Sequence, residues 1–218
     1  MRRVGQGLRS FVLREGPLVP LLSLALLILA GLALWVFFTF RLPGDDSAEA
    51  GFARDMMIHH AQAVEMAEIV RDKTQSEDIK TLAPDTALTQ QAQIGQMQGW
   101  LQVWGLSPTG SEPAMSWLGE PTDGLMPGMA TPEDIQQLRD ASPEEADVLF
   151  LQLIIPHHLA ALQMTEAILN RTDRPEVESL AKAISASQHS EIQNMEQMLQ
   201  DRGASVPAGE PEMDMENM

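Results

Sequence analysis

The feature that most constrains this chain is that it matches itself. Shifted by 98 residues without a gap, Phe52 falls on Phe150, His59 on His157, His60 on His158, Ala63 on Ala161, Met66 on Met164 and Glu68 on Glu166. The register holds further along: Leu82 meets Leu180, Gln90 meets Gln188, Ile94 meets Ile192, Met97 meets Met195, Leu101 meets Leu199 and Gly105 meets Gly203. A constant offset over about fifty positions marks an internal duplication, which limits the fold to two copies of one supersecondary unit.

Each copy reads as a helical hairpin. In the first helix, about Ser47 to Lys73, the positions Phe52, Met56, His59, Ala63, Met66 and Val70 follow the three-four spacing of one buried helix face. A polar turn at Thr74 to Ser76 leads into a second helix that stops at Gly105, a normal C-terminal residue. Pro84 lies inside it and should kink or restart it. In the second copy Ser142 precedes Pro143, Glu144 and Glu145, a favourable helix start, and that helix runs to about Arg171. Its Pro156 stands directly before His157, where a kink is expected. The last helix covers about Arg174 to Arg202 and ends at Gly203. Between the copies, Leu106 to Ala141 is rich in Pro, Gly and Ser, with one short helix predicted at Thr131 to Arg139. Four amphipathic helices joined by one long crossover predict an all-α, ferritin-like four-helix bundle over residues 47–203. The repeats are 47–105 and 143–203, with a linker at 106–142. The tail from Ala204, which carries Met213, Met215 and Met218, reads as disordered and acidic.

In front of the bundle, Leu18 to Phe40 is an uncharged, almost wholly apolar run of 23 residues, enough to span a bilayer as a helix. Arg2, Arg3, Arg9 and Arg14 precede it, and Arg41, Asp45 and Asp46 follow. The positive-inside rule therefore puts residues 1–17 in the cytoplasm and the bundle outside. The run is long for a signal-peptide core and no small-x-small cleavage site follows, so an uncleaved, single-pass signal anchor is expected. From Leu42 onward there are 30 acidic and 9 basic residues, a net charge of −21. That sign excludes nucleic acid as a natural partner and suits a cation. The absence of cysteine removes disulfides, thiolate zinc sites, iron–sulfur ligation and thiol catalysis.

Four of the five histidines form two adjacent pairs at equivalent places on equivalent helices. Burying four imidazoles for packing alone is costly, so ligation is the better reading of His59, His60, His157 and His158. His59 and Met66 share a helix face but stand about 10 Å apart along it, too far for one ion to hold both. Antiparallel packing of the first helices of the two copies would instead bring His59 toward Met164 and His157 toward Met66. Imidazole with thioether is a soft ligand set that favours copper, above all Cu(I). Met97 and Met195 hold equivalent positions on the second helices; they read as core filling first and as ligands second. Asp55 and Met56 sit one turn before the first His pair and complete the candidate set. Their counterparts Leu153 and Ile154 cannot do the same work, and the fifth histidine, His189, has Gln91 as its counterpart. The two repeats are therefore not expected to hold identical sites.

Enzyme signatures are missing. No Glu-x-x-His, His-Glu-x-x-His, Gly-x-Ser-x-Gly, P-loop or dinucleotide fingerprint occurs, and no catalytic residue can be named. The reading is a metal-binding protein without catalysis. A ferritin-like metalloenzyme or oxidase and a metal-free envelope interaction module are the alternatives, and self-association into a homo-oligomer is left open.

The segments Asp55-Met-Met-Ile-His-His-Ala-Gln-Ala-Val-Glu-Met-Ala and Phe150-Leu-Gln-Leu-Ile-Ile-Pro-His-His-Leu-Ala-Ala-Leu-Gln-Met-Thr resemble the signature of the domain of unknown function 305 family. Met126-Pro-Gly-Met-Ala-Thr-Pro-Glu-Asp is similar to that family's linker, and Ile192-Gln-Asn-Met-Glu-Gln-Met-Leu to its last helix. The resemblance covers about Ser47 to Gly203. It implies a ferritin-like fold and an exported or membrane-anchored bacterial protein, similar in part to copper-binding resistance proteins of the CopM type. Carried over, it implies His59, His60, Met66, His157, His158 and Met164 as copper ligands and a role in copper tolerance or handling. Leu153 and Gln163 depart from the family's second motif.

Overall fold

The computed structural model describes residues 18–39 and 41–205. The expected cytoplasmic segment, Phe40 and the Met-containing end of the tail lie outside the described residues. The chain divides into two units between Leu42 and Pro43.

The first unit contains α1, Leu18–Thr39. It is long and apolar enough to cross a membrane, and no residue of its Val19–Val36 stretch is buried.

The second unit is the expected four-helix bundle. It comprises α2 (Ala48–Arg71), α3 (Glu77–Trp104), the short α4 (Pro132–Asp140), α5 (Pro143–Leu169) and α6 (Pro175–Asp201), and no strand occurs among the described residues. The helices begin and end where local chemistry demands. Ser47 Oγ accepts the amide of Ala50 to open α2. Thr131 and Asp134 satisfy each other's amides in a capping box at α4. Gly105, at φ 73°, closes α3 in the left-handed conformation that glycine adopts at no steric cost. Pro84 and Pro156 do not restart their helices, since α3 and α5 run unbroken through them.

The four long helices of this unit pack antiparallel to their neighbours. The start of α2 meets the end of α5 where Thr172 Oγ1 donates to Glu49 Oε1 at 2.9 Å, and the end of α2 meets the start of α5 where Lys73 Nζ donates to the Ala141 carbonyl at 2.9 Å. Arg202 binds Asp78 Oδ1 at 2.8 Å and Arg174 stacks over Trp104, so α6 runs against α3 as well. The order is thus up, down, down, up, and the connection after α3 must return along the whole bundle.

It does so along α2, and each fastening is explicit. Ser107 O accepts from Arg54, and Asp55 Oδ2 accepts from the Met115 amide and Trp117 Nε1 at 2.8 and 2.9 Å. Gln62 exchanges two hydrogen bonds of 2.8 Å with the backbone of Ala130. Arg139 pairs with Glu65. Gly51 permits this path, because a Cβ there would lie 2.6 Å from Trp117. Polar residues of α2 that could have been solvated are therefore fasteners for the crossover.

Candidate metal centre

The antiparallel crossing of α2 and α5 falls at the histidines. His59 and His157, exactly one repeat apart, stack ring on ring with centroids 3.7 Å apart and planes inclined by 29°. Two copies related by a twofold axis bring the residue nearest the axis against its own counterpart, and here that residue is His59. The partner that the structure places against His59 is therefore His157. Met164 belongs to the same buried cluster as Met56 and Met97, and Met66 to the one that holds Ile154 and Met195.

All four paired imidazoles are fully buried. Each points Nε2 at an oxygen: His59 at the Pro127 carbonyl (3.3 Å), His157 at the His59 carbonyl (2.9 Å), His60 at Gln93 Oε1 (2.7 Å) and His158 at Glu191 Oε2 (2.9 Å). Carbonyl and carboxylate oxygens only accept, so in each ring Nε2 carries a proton, and in a neutral ring Nδ1 then presents a bare lone pair. All four Nδ1 atoms are buried without a hydrogen-bond partner. Desolvation holds His59 and His60 neutral, pushing His59 down to about 4 and His60 down to about 3, the latter helped by the neighbouring His59. Burial, then the surrounding histidines, likewise hold His157 well below its ordinary value. A neutral imidazole with one nitrogen donating to an oxygen and the other left bare is the state in which histidine binds metal ions.

The imidazoles belong to a polar layer across the middle of the core. One turn from Gln93 and from Glu191 lie Gln90 and Gln188, each 2% exposed and each with both amide atoms unpartnered. They too are one repeat apart. The layer separates two apolar clusters, and both are rich in thioethers. One contains Met56, Met97, Met164, Met115 and Met126; the other contains Met66, Met195 and Met198. Buried polar atoms left without partners are rare in proteins, and their concentration here singles the layer out as the candidate site. Among the described residues, no group of three or more His, Asp or Glu side chains is arranged to hold an ion. A metal at this layer would take other donors, and the methionines on either side fit that need.

Of the candidate residues, the structure unites the four histidines in one layer and buries Met56, Met66, Met97, Met164, and Met195 beside it. Asp55 is occupied with the crossover through Oδ2, and its burial raises its pKa. His189 lies on the outside of α6 beside Gln193. Sequence reasoning missed Gln93 and Glu191. Each stands 33 residues after the second histidine of its pair, and the 98-residue offset pairs them with each other.

The family model described as a domain of unknown function (DUF305) matches residues 49–199. The chain belongs to the DUF305 family. Among solved structures, a DUF305 protein from Streptomyces coelicolor is 42% identical, with a TM-score of 0.72 over 76% of this chain and 99% of that one. CopM has been solved in Cu(I)-, Cu(II)- and Ag-bound forms. Its Cu(I)-bound form is 28% identical, with a TM-score of 0.54 over 72% of this chain and 97% of CopM. A protein of Acanthamoeba polyphaga mimivirus is 41% identical over 56 residues, which is 26% of this chain and 37% of that protein's length.

Proposed function

We propose that this DUF305 protein is a copper-binding protein of the cell envelope, anchored by α1 with its bundle outside the cytoplasm, that holds Cu(I) in copper tolerance or handling. One observation carries the reading. Four buried imidazoles whose Nδ1 atoms have no hydrogen-bond partner lie between two clusters of buried thioethers, a donor set suited to a soft cation and unsuited to magnesium, calcium or manganese. The likeness to CopM supports copper as the ion, and the acidic bundle supports a cationic ligand.

In this proposal His59, His60, His157 and His158 supply nitrogen. Met56, Met97 and Met164 supply sulfur on one side of the layer, and Met66 and Met195 on the other. The first side holds one more thioether than the second, because Ile154 replaces Met56, so the two sides bind unequally. Asp55 stays at the edge of the set, since its Oδ2 already holds the crossover. The topology of the anchor rests on the basic residues before α1 and the acidic ones after it.

The test is a Cu(I) competition titration of the whole protein in detergent, against a variant with Met56, Met97 and Met164 changed to leucine. Tight binding by the wild type that weakens at least tenfold in the variant supports the proposal. A wild-type protein that takes up no Cu(I) refutes it.

A further inference from the structure

A fully buried donor layer poses the question of how an ion reaches it. The crossover supplies an answer on one side only. Between a single 3-10 turn at Ser116–Leu118 and the start of α4, it forms a surface cavity of about 370 Å3 lined by Met115, Met126, Met129, Leu125, Glu120, Pro127 and Gly128. Three of these are thioethers. Met115 and Met126 are almost fully buried at the cavity's inner wall and belong to the same cluster as Met56, Met97 and Met164, while Met129 packs against that cluster half-exposed. The cavity's methionines thus belong to, or pack against, the thioether cluster on one side of the histidine layer.

The floor of the cavity is equally specific. Pro127, one of the lining residues, gives its carbonyl to His59 Nε2 as acceptor, so one residue joins the cavity wall to that ring. Gly128 follows it at φ 71°, where a Cβ would meet the Pro156 carbonyl at 2.5 Å and the His157 Cα at 3.1 Å. The other thioether cluster receives no methionine from the described crossover residues. The crossover covers it with Ala130, Ile135 and Leu138.

We infer that the Met115–Met126–Met129 cavity is the uptake port for a soft monovalent metal ion, passing it from solvent by thioether exchange to the His59 side of the layer. Thioethers alone are soft, exchangeable ligands suited to passing such an ion on to a site that adds imidazole, and the Glu120 carboxylate at the cavity adds to the attraction that the acidic bundle exerts on cations. The inference rests on the copper-binding reading, and its test separates the two.

The experiment uses the whole protein in detergent and follows Cu(I) leaving a coloured chelator complex by stopped flow. Met126→Leu/Met129→Leu preserves volume and apolarity, so the fold is retained; unchanged helical circular dichroism checks this. The expected result is uptake at least tenfold slower than wild type with the same final occupancy. Met198→Leu, in the other cluster, should leave the rate unchanged. Equal rates in wild type and the double variant overturn the inference while leaving copper binding intact. Loss of final occupancy in the double variant also overturns it, since these methionines would then be resident ligands. No uptake by the wild type defeats the copper reading itself.

Discussion

Acid should loosen this bundle in a pH range where most proteins are at their most stable. His59 and His60 are held neutral in the folded protein, with pKa values of about 4 and about 3, whereas in the unfolded chain each takes up a proton near 6.5. Between those limits the unfolded state binds more protons, so stability falls as pH falls. Each ring loses about 1.4 kcal/mol per pH unit below 6.5, so going from pH 7 to pH 5 removes about 2 kcal/mol per ring and about 4 kcal/mol for the two. His157 acts in the same direction. The low carboxylate of Asp78, held at about 2 by Arg202, and that of Glu145, held down by Ser142, weaken the fold only in stronger acid. Asp55 and Asp147 have raised values through burial and act in the opposite sense as they take up protons in acid. For a domain of this size, about 4 kcal/mol corresponds to a fall in Tm of about 8–16 °C. Thermal melts of the metal-free protein at pH 7, 6 and 5, followed by circular dichroism, measure it. A Tm that moves by less than 2 °C between pH 7 and pH 5 refutes the claim that the imidazoles are buried and neutral.

Gly128→Ala should destabilise the protein by about 2–3 kcal/mol through left-handed strain and the clash with α5, read as a lower midpoint in urea. Asp55→Ala leaves the Met115 amide and the Trp117 indole without their acceptor and should cost about 2–4 kcal/mol, with the crossover becoming sensitive to protease before the helices do. Glu191→Gln makes the second pair resemble the first; it should weaken Cu(I) binding on that side about 10-fold, seen as one altered step in a titration, because a carboxylate strengthens the imidazole it holds.

The parts of this molecule that could be read in the sequence are those set by local signals. The 98-residue offset gave the two hairpins, and Ser47, Thr131, Gly105 and Gly203 marked helix ends because caps act within one turn. The histidine pairs were visible because duplication repeated them. The position of the α2–α5 crossing was not, since it depends on how two whole hairpins settle. That is why His59 was expected beside Met164 and is found stacked on His157. Asp55 has the spacing of a ligand, one turn before the histidines, but its carboxylate is claimed by a loop 60 residues away. Gln93 and Glu191 carry no local mark at all. Only the orientation of their helices aims them at His60 and His158. The unequal residues at these two positions, Gln and Glu, give the pseudo-symmetric pairs different partners and extend the asymmetry already apparent at Met56 and Ile154.

The central claim is that the buried layer binds a soft metal through nitrogen and sulfur together. X-ray absorption at the copper edge of the Cu(I)-loaded protein tests it most directly. The account predicts a first shell that contains both imidazole nitrogen and thioether sulfur, with the sulfur contribution reduced in Met56→Leu/Met97→Leu/Met164→Leu. A shell of nitrogen and oxygen alone, unchanged in that variant, would contradict it.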